Sequence, residues 1–235
     1  MPSTLYHIRA YAINTEGTSY GEDKTFTTAA FVCGTSALTA NHYVANGVAP
    51  VDKSVSYGTV STTLFGGTKC AITQNLGADH QATAVDDATE ASAGWYWQFN
   101  RKQGYNHTGT TSTTVLTPEW PTAIIDESAE WISDNDPCAL ELGVGWHIPT
   151  KTEWVSADAS WSTWSDLWNS ELKLHASGRL TYNNGYLDSR GSFGFYWSST
   201  QSGGAIGWYL RFDSASSLVT NYYKICGYSV RCLKD

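Results

Sequence analysis

Cysteine is the residue type in this sequence whose spacing most limits the possible chemistry. The five cysteines stand at positions 33, 70, 138, 226 and 232. A cysteine thiol can form a disulfide, bind a metal or act as a nucleophile. No Cys-x-x-Cys occurs and no interval matches that of zinc ligands, so the spacing predicts no zinc site. Because the number of cysteines is odd, one of them must stay unpaired or bond to another chain.

We predict that Cys33 pairs with Cys70 and Cys138 with Cys232, because each bond would close an element near one end of the main domain. Cys226 lies in a stretch without a hydrophobic pattern and is the candidate for the unpaired thiol. The alternative is that all five cysteines are reduced and buried, as free cysteines often are. Disulfides would indicate an extracellular, cell-surface or virion-associated protein, since they persist in oxidising environments.

The side chains that could do acid–base or metal chemistry form no recognisable catalytic set. Neither G-x-S-x-G, H-E-x-x-H, a Walker loop nor G-x-G-x-x-G occurs. His147 and His175 lie inside patterned blocks, where a hydrogen-bonded structural histidine is the expected role. Two acidic clusters could offer oxygen ligands to calcium, although a solvated acidic turn is the favoured interpretation. These clusters are Asp86, Asp87 and Glu90, and Asp134 with Asp136. We therefore expect no catalytic residue, no metal and no cofactor.

Composition and charge restrict the possible partners. Charged residues make up 15% of the 235 residues, and the formal net charge is −8 without any run of Lys or Arg. Phosphate contacts need clustered cations, so a nucleic-acid partner is not expected. No run of about 18 apolar residues occurs, so no membrane insertion is expected, and the first residues lack the pattern of a signal peptide. The abundant Trp, Tyr, Ser, Thr and Gly favour short strands and long loops.

Two regions can be distinguished along the chain. Residues 5–14 alternate apolar and polar side chains, a Gly-containing turn follows, and residues 20–28 predict a second strand. This pair resembles the last two strands of a fibronectin type III domain. Two strands cannot bury a core alone, so we expect residues 1–30 to pack on the main domain or to be the remnant of a truncated module. Residues 31–235 are the predicted main domain.

Hydrophobic alternation and turn residues predict short strands in the main domain. The predicted strands are 55–60, 69–78 and 94–101, and residues 104–122 are a predicted long loop. Trp95, Trp97 and Phe99 alternate as in a half-buried strand. Asn183-Asn184-Gly185 is a hairpin-turn signal.

Helix signals are fewer and more local. Thr150 followed by Glu153 is a capping-box sequence that predicts the start of a helix. Short helices are also predicted over 84–90, from its acidic start, and within the Trp- and Ser-rich residues 161–169.

Three blocks of the main domain carry a resemblance to a known family. They are residues 145–154 (GWHIPTKTEW), residues 172–178 (LKLHASG), and a C-terminal pattern R-G-S … Y-W-S-S … W-Y-L-R-F … G-Y-S-V-R-C. Together they resemble the Fibrobacter succinogenes major paralogous domain, which is related to the C-type lectin fold and, more remotely, to the formylglycine-generating enzyme fold. The resemblance implies an α+β, C-type lectin-like fold with a short twisted antiparallel sheet, two short helices and long loops.

The same resemblance implies where a ligand would bind. In this fold family the C-terminal strands and the loop between them present the ligand site. The ligand-binding positions carried over to this chain are Gln201, Ile206, Trp208, Asp213, Ser214, Ser216, Leu218, Thr220, Tyr222, Tyr223, Ile225 and Cys226. Trp208, Tyr222 and Tyr223 are the aromatic residues expected to make the main contacts, although they could instead close a sheet edge.

Similar domains serve as the variable proteins of diversity-generating retroelements, including phage receptor-binding proteins. Adenine-directed rewriting turns Asn codons into codons that end in a pyrimidine and cannot encode Trp, Met, Gln, Glu or Lys. The positions named above from Asp213 to Cys226 all carry permitted residue types. Active diversification of this face is therefore a hypothesis.

These observations together predict a non-enzymatic protein that binds a protein or glycan on a cell surface through its C-terminal face. Several copies in an oligomer would raise avidity. One alternative is a structural or interaction module of a larger surface protein or adhesin. The other is a formylglycine-generating-type oxidoreductase, which would need a reactive Cys226–Cys232 pair.

Overall fold

The computed structural model describes residues 4–107, 116 and 118–235. Residues 108–115 and 117 of the predicted loop 104–122 lie outside the described residues. The fold is mixed α+β, with mostly antiparallel strands and a few short helices, as the sequence predicts. Among the residues that the structure describes, no helix has the length and apolar character needed to span a bilayer.

The N-terminal hairpin is an exposed ribbon of two broken strands. Its segments are β1 (Leu5–Ile8), β2 (Tyr11–Asn14), β3 (Gly17–Tyr20) and β4 (Lys24–Thr27). β1 pairs with β4 and β2 with β3, both antiparallel. Every residue of these segments is exposed, including Tyr11 and Ile13. This exposure does not fit the first alternative, packing on the main domain, and leaves the remnant of a truncated module as the prediction.

The main domain contains the remaining strands and all described helices. The helices are α1 (Glu90–Ala93), α2 (Pro137–Leu142), α3 (Lys151–Asp158) and α4 (Trp164–Asn169), with short 3-10 turns at Val44–Asn46 and Ser133–Asn135. The strands are β5 (Leu38–His42), β6 (Lys53–Tyr57), β7 (Thr59–Thr62), β8 (Lys69–Ile72), β9 (Tyr96–Trp97), β10 (Gly104–Tyr105), β11 (Trp146–His147), β12 (Arg179–Leu180), β13 (Leu187–Asp188), β14 (Gly194–Gly203), β15 (Ile206–Phe212), β16 (Ser217–Tyr223), β17 (Tyr228–Ser229) and β18 (Leu233–Lys234).

The larger sheet has the order β10-β9-β17-β14-β15-β16 and leaves β16 at one edge. Alternate side chains of β14 and β15 point to opposite faces. On one face Tyr196, Leu210 and Phe212 pack against Trp154 of α3. On the other face Trp197 and its neighbours form a second apolar cluster. The central strands are thus buried on both faces and give the edge strand a rigid support.

The disulfides join the chain segments that the sequence analysis paired. Cys33 bonds to Cys70 of β8, and Cys138 of α2 bonds to Cys232 beside β18. Cys226 is the free cysteine among the described residues, as predicted, but it is buried in the core. The disulfides indicate an oxidising, extracytoplasmic location for the domain.

Helix signals that depend on local hydrogen bonds are confirmed. Thr150 caps α3 by accepting from the Glu153 backbone N–H at 3.2 Å, and Glu153 accepts from the Thr150 N–H at 2.7 Å. The short helix predicted within 161–169 is α4. It also starts with a capping box, formed by Thr163 and Asp166.

The helix predicted over 84–90 is wrong. The Asp87 carboxylate accepts from the backbone N–H groups of Thr83 and Thr89, both at 3.0 Å, and so fixes a turn. Side-chain bonds of this kind compete with helical hydrogen bonds. The helix α1 begins only at Glu90.

Strand predictions are right in place but too long. The predicted strand 55–60 is split at Gly58 between β6 and β7, and 69–78 ends at Ile72. Of 94–101 only Tyr96–Trp97 is strand, and it is buried on both faces rather than half-buried. The Asn183-Asn184-Gly185 turn does join two paired strands, β12 and β13.

Candidate functional site

The predicted ligand-binding residues lie around β15, β16 and the segment after β16, but they do not form one surface. Leu218, Thr220 and Tyr222 share one face of β16, whereas Tyr223 lies on the opposite face. The exposed residues of the predicted set are Ser214, Leu218, Tyr222 and Tyr223. The half-buried ones are Gln201, Ile206, Trp208, Asp213, Ser216 and Thr220, and the buried ones are Ile225 and Cys226.

Trp208 is half-buried beneath a lysine. The Lys151 ammonium lies 3.5 Å from the centroid of the Trp208 ring, a cation–π contact with the start of α3. This contact ties the sheet to the helix. The geometry therefore supports the structural alternative for Trp208 more than the contact role.

Asp213 and Ser216 build the turn between β15 and β16. Asp213 Oδ1 accepts from the Ala215 and Ser216 N–H groups at 2.8 and 2.9 Å, and Oδ2 accepts from Arg211 Nη2 at 2.8 Å. Burial raises the pKa of the Asp213 carboxyl, but the backbone hydrogen bonds and Arg211 outweigh it and lower the pKa below its usual value. These two residues hold the turn in shape.

Cys226 is not a surface residue, and its expected exposure is a wrong prediction. Burial raises the pKa of its thiol to about 11, so it is protonated at neutral pH. Cys232 is bonded to Cys138, so Cys226 and Cys232 do not form a pair. The thiol is buried because the chain turns inward directly after β16, between Tyr223 and Tyr228.

Three exposed tyrosines meet at the end of β16. The Tyr223 ring lies 5.9 Å from the ring of Tyr182 and 5.0 Å from that of Tyr222, measured between centroids. Tyr182, Tyr222 and Tyr223 are 47%, 37% and 46% exposed. We call these three residues the tyrosine patch. Tyr182 comes from the turn between β12 and β13, about forty residues earlier in the chain than the other two.

An apolar groove of about 450 Å³ adjoins the tyrosine patch. Its wall includes Tyr182, Tyr223, Ile124 and Ile125. Ile225, although buried, reaches the groove with one part of its side chain, so its predicted contact role is compatible with the structure. Ile124 is 75% exposed, which is unusual for a branched aliphatic side chain.

Buried polar contacts fix the groove wall to the sheet. The Lys224 ammonium, fully buried, donates to the backbone oxygens of Glu127 and Gly204. Gln98 Nε2 donates to the oxygens of Pro121 and Ile225, both at 2.9 Å. Because these bonds join the 121–127 segment to both sides of the groove, the wall is held in place before any ligand binds.

The predicted structural histidines behave differently from each other. His147 Nε2 lies 3.7 Å from Glu153 Oε1, and the interaction with Glu153 raises the pKa of His147. His175 is fully buried, and neither ring nitrogen has a hydrogen-bond partner within the described ranges. Burial, together with Arg231, lowers the pKa of His175 to about 3. The expectation of a hydrogen-bonded imidazole is wrong for His175.

The best candidate for metal ligation is already an ion-pair cluster. Ligand atoms of His147, Glu153 and Asp235 lie within 4.8 Å of one another. The Lys69 ammonium lies 3.0 Å from Glu153 Oε1 and also bonds to Asp235. A cation at this place would have to displace the lysine charge.

In each of the two acidic clusters, one carboxylate accepts hydrogen bonds from the protein itself. Asp87 accepts from Thr83 and Thr89, while Asp136 accepts from the N–H groups of Cys138 and Ile148 at 2.8 and 3.0 Å. Both carboxylates therefore shape backbone turns, but Asp87 and Asp136 are buried, so the expectation of a solvated turn is wrong for these two residues.

Sequence reasoning missed Tyr182, Ile124 and Ile125. A weak signal was present for each: Tyr182 adjoins a predicted turn, and the Ile124–Ile125 pair follows Pro121 in a polar stretch. Neither signal places these residues beside β16, because the contact depends on how distant segments fold together.

A family model described as a domain of unknown function (DUF8237) matches residues 155–233. The matched segment is about a third of the chain and includes the tyrosine patch and strands β12–β17. No curated protein and no solved structure matches the chain.

Proposed function

We propose that this chain is a non-enzymatic binding protein with a C-type lectin-like main domain, and that the tyrosine patch and its groove contact the ligand. The observation that carries the proposal is the meeting of Tyr182 with the exposed Tyr222 and Tyr223 of β16, about forty residues later in the chain, beside an apolar groove. The ligand is a protein or glycan on a cell surface. The chain itself acts outside the cytoplasm, on a cell surface or a virion.

The patch has the chemical character of known recognition surfaces. Tyrosine combines a large rigid ring with a polar tip, and it loses little conformational entropy on binding. A few such side chains supply most of the affinity of an interface. The groove wall is held by Lys224 and Gln98, so little ordering remains to oppose binding.

The thiols support a binding role over an oxidoreductase. The oxidoreductase alternative needs a reactive Cys226–Cys232 pair, whereas Cys226 is a buried thiol and Cys232 is in a disulfide. A reactive thiol needs a lowered pKa and access to solvent.

Retroelement diversification remains part of the proposal. Ser214, Leu218, Tyr222 and Tyr223 are exposed positions of permitted residue type, so they could change without filling or emptying the core. A reverse transcriptase gene with a near-copy of the 3′ coding region in the adjoining DNA would support active diversification.

The binding test uses a printed glycan array and flow cytometry on a panel of intact bacterial cells. Tyr182→Ala and Tyr223→Ala are each expected to weaken binding by at least about tenfold, as for central aromatic contacts. Tyr43→Ala is the matched control, because Tyr43 is 51% exposed and does not line the groove. If the double variant binds as well as the unmodified protein, the proposal is wrong and a purely structural module is favoured.

A further inference from the structure

A second cleft lies beside Tyr222. Its volume is about 300 Å³, which leaves room for one sugar ring with its substituents, and Tyr222 forms one wall. Phe195 and Tyr209 form the floor, while Arg179 and Arg211 stand at the sides. None of the cleft residues except Tyr222 belongs to the tyrosine patch or to the predicted site.

The two arginines are held by aromatic rings. The Arg179 guanidinium carbon lies 5.0 Å from the ring centroid of Phe195, and that of Arg211 lies 4.8 Å from the centroid of Phe193. Stacking on a ring fixes the plane of a guanidinium and leaves its edge free to donate. Both arginine side chains are 28% exposed, so they are partly desolvated but accessible.

Each arginine also keeps unused donors. Arg179 donates Nε to Asp188 Oδ2 at 2.9 Å, and within the described ranges its two terminal nitrogens have no hydrogen-bond partner. Arg211 donates Nη2 to Asp213 and has a long contact of 3.5 Å from Nη1 to Ser216. The carboxylates of Asp188 and Asp213 therefore orient the guanidinium groups without occupying all their donors.

The charges around the cleft favour a carboxylate carried on a ring over a small free anion. Asp188 and Asp213 neutralise the two arginines, so a small free anion gains little net attraction. A carboxylate attached to a ring gains more, because the ring packs on Tyr222 and Tyr209 while the carboxylate accepts from the arginine edges.

We propose that this cleft binds a carboxylated sugar ring, such as a hexuronate unit of a cell-surface polysaccharide. Aromatic side chains cover the C–H face of the sugar, and the guanidinium edge of Arg179 donates to its carboxylate. This inference adds a ligand class to the proposed function and rests on that function through Tyr222, which belongs to the tyrosine patch. The groove beside Tyr223 is a separate site.

The test is a calorimetric titration of the full chain with tetragalacturonate and with its methyl ester. The ester has the same rings without the charge, so the proposal predicts binding of the acid and at least about tenfold weaker binding of the ester. Equal binding of both would overturn it, as would no binding of tetragalacturonate. Tighter binding of a tetraglutamate peptide would overturn the sugar assignment.

Arginine variants locate the effect. Arg179→Gln and Arg211→Gln are each expected to weaken tetragalacturonate binding by about tenfold. Arg101→Gln is the matched control, since Arg101 is also an ion-paired arginine, 2.9 Å from Glu127, and lies outside the cleft. An equal loss in Arg101→Gln would contradict the proposal.

A measurement on the unmodified protein covers the case in which a variant fails to fold. With arginine labelled by ¹⁵N, tetragalacturonate should shift the Nε–H signal of Arg179 and leave that of Arg101 unchanged. No shift at Arg179 would overturn the proposal.

The variants Tyr182→Ala and Tyr223→Ala separate the two sites when their binding to cells and to tetragalacturonate is measured. Loss of cell binding with uronate binding intact would keep both proposals, and intact cell binding would reject the groove alone.

Discussion

At the scale of single residues, one arginine that has no ion-pair partner among the described residues joins distant parts of the domain. Arg231 is fully buried and donates to the carbonyl oxygens of Ile72 and Leu172, at 3.2 and 2.9 Å, and to Asn75 Oδ1 at 2.9 Å. Burial lowers the pKa of Arg231 to about 10, so it stays charged at neutral pH. This one side chain joins three segments that are far apart in the sequence.

His175 makes the stability of the fold depend on pH. Its pKa falls from 6.5 to about 3 on folding, so the unfolded chain binds the proton more readily than the folded one. The stabilising contribution is complete above the unfolded pKa and is lost as pH falls toward the folded pKa. The loss approaches about 1.4 kcal/mol per pH unit between the two values.

We therefore expect His175→Leu to reduce the decline in stability between pH 6.5 and pH 4.5. Urea unfolding of both proteins at several pH values measures the difference in slope, which cancels the contributions of other titrating groups. Leucine suits this buried site because the imidazole nitrogens lack hydrogen-bond partners within the described ranges. Parallel pH profiles for the two proteins would contradict the assignment.

Predictions for single residues are right where the property depends only on neighbouring residues in the sequence. The unpaired thiol was correctly placed at Cys226, but its exposure was not, because burial is decided by the path of the chain after β16. The same limit applies to His175, whose patterned neighbours identified a structural position without revealing that its ring lacks partners.

At the scale of elements, the N-terminal hairpin is a separate feature of the chain. Among the described residues its four strand segments pair with each other alone, and they bury none of their side chains, although Tyr11, Ile13 and Phe26 are large and apolar. Two strands without further cover add little to stability.

Deleting residues 1–28 is expected to leave the melting temperature of the main domain within about 2 °C of its original value, since no core contact is lost. Differential scanning calorimetry checks this. Phe31 and Cys33 must stay, because both contact the core. A fall of more than about 5 °C would mean that the hairpin packs on the domain after all.

Elements were predictable where a hydrogen-bonding signature lies within a few residues. The Thr150–Glu153 capping box and the Asn183-Asn184-Gly185 turn belong to that class. The alternation of Trp95, Trp97 and Phe99 gave the right location but the wrong exposure. That segment lies between two packed layers, and sequence periodicity cannot distinguish a covered face from a solvated one when aromatic residues occupy both.

At the scale of the whole molecule, the candidate site exists only through long-range assembly. Tyr182, Tyr223 and Ile125 come from three parts of the chain, and Lys224 and Gln98 hold these parts together. The resemblance stated from the sequence implies the C-terminal residues of this candidate site, which lie on consecutive strands. The remaining wall was not predictable, since no local pattern encodes which loop will cover a sheet end.

The disulfides also connect parts of the molecule that are far apart in the sequence. The Cys138–Cys232 bond joins residues 94 apart in the sequence and so restricts a large part of the unfolded chain. The support beneath β16 therefore depends on packing of the central strands together with covalent closure of the domain. The edge strand can then carry exposed side chains that add little to the stability of the core.

A protease-resistance screen of two displayed libraries tests most directly whether the edge strand can change its side chains while the core keeps the domain folded. One library randomises the edge-strand positions Leu218, Thr220, Tyr222 and Tyr223, and the other randomises the buried positions Tyr196, Trp197, Leu210 and Phe212. Most members of the first library should remain folded and resist the protease, whereas nearly all members of the second should be cleaved. If the first library loses resistance as completely as the second, these edge-strand positions are part of the core, and β16 cannot carry a changeable binding surface.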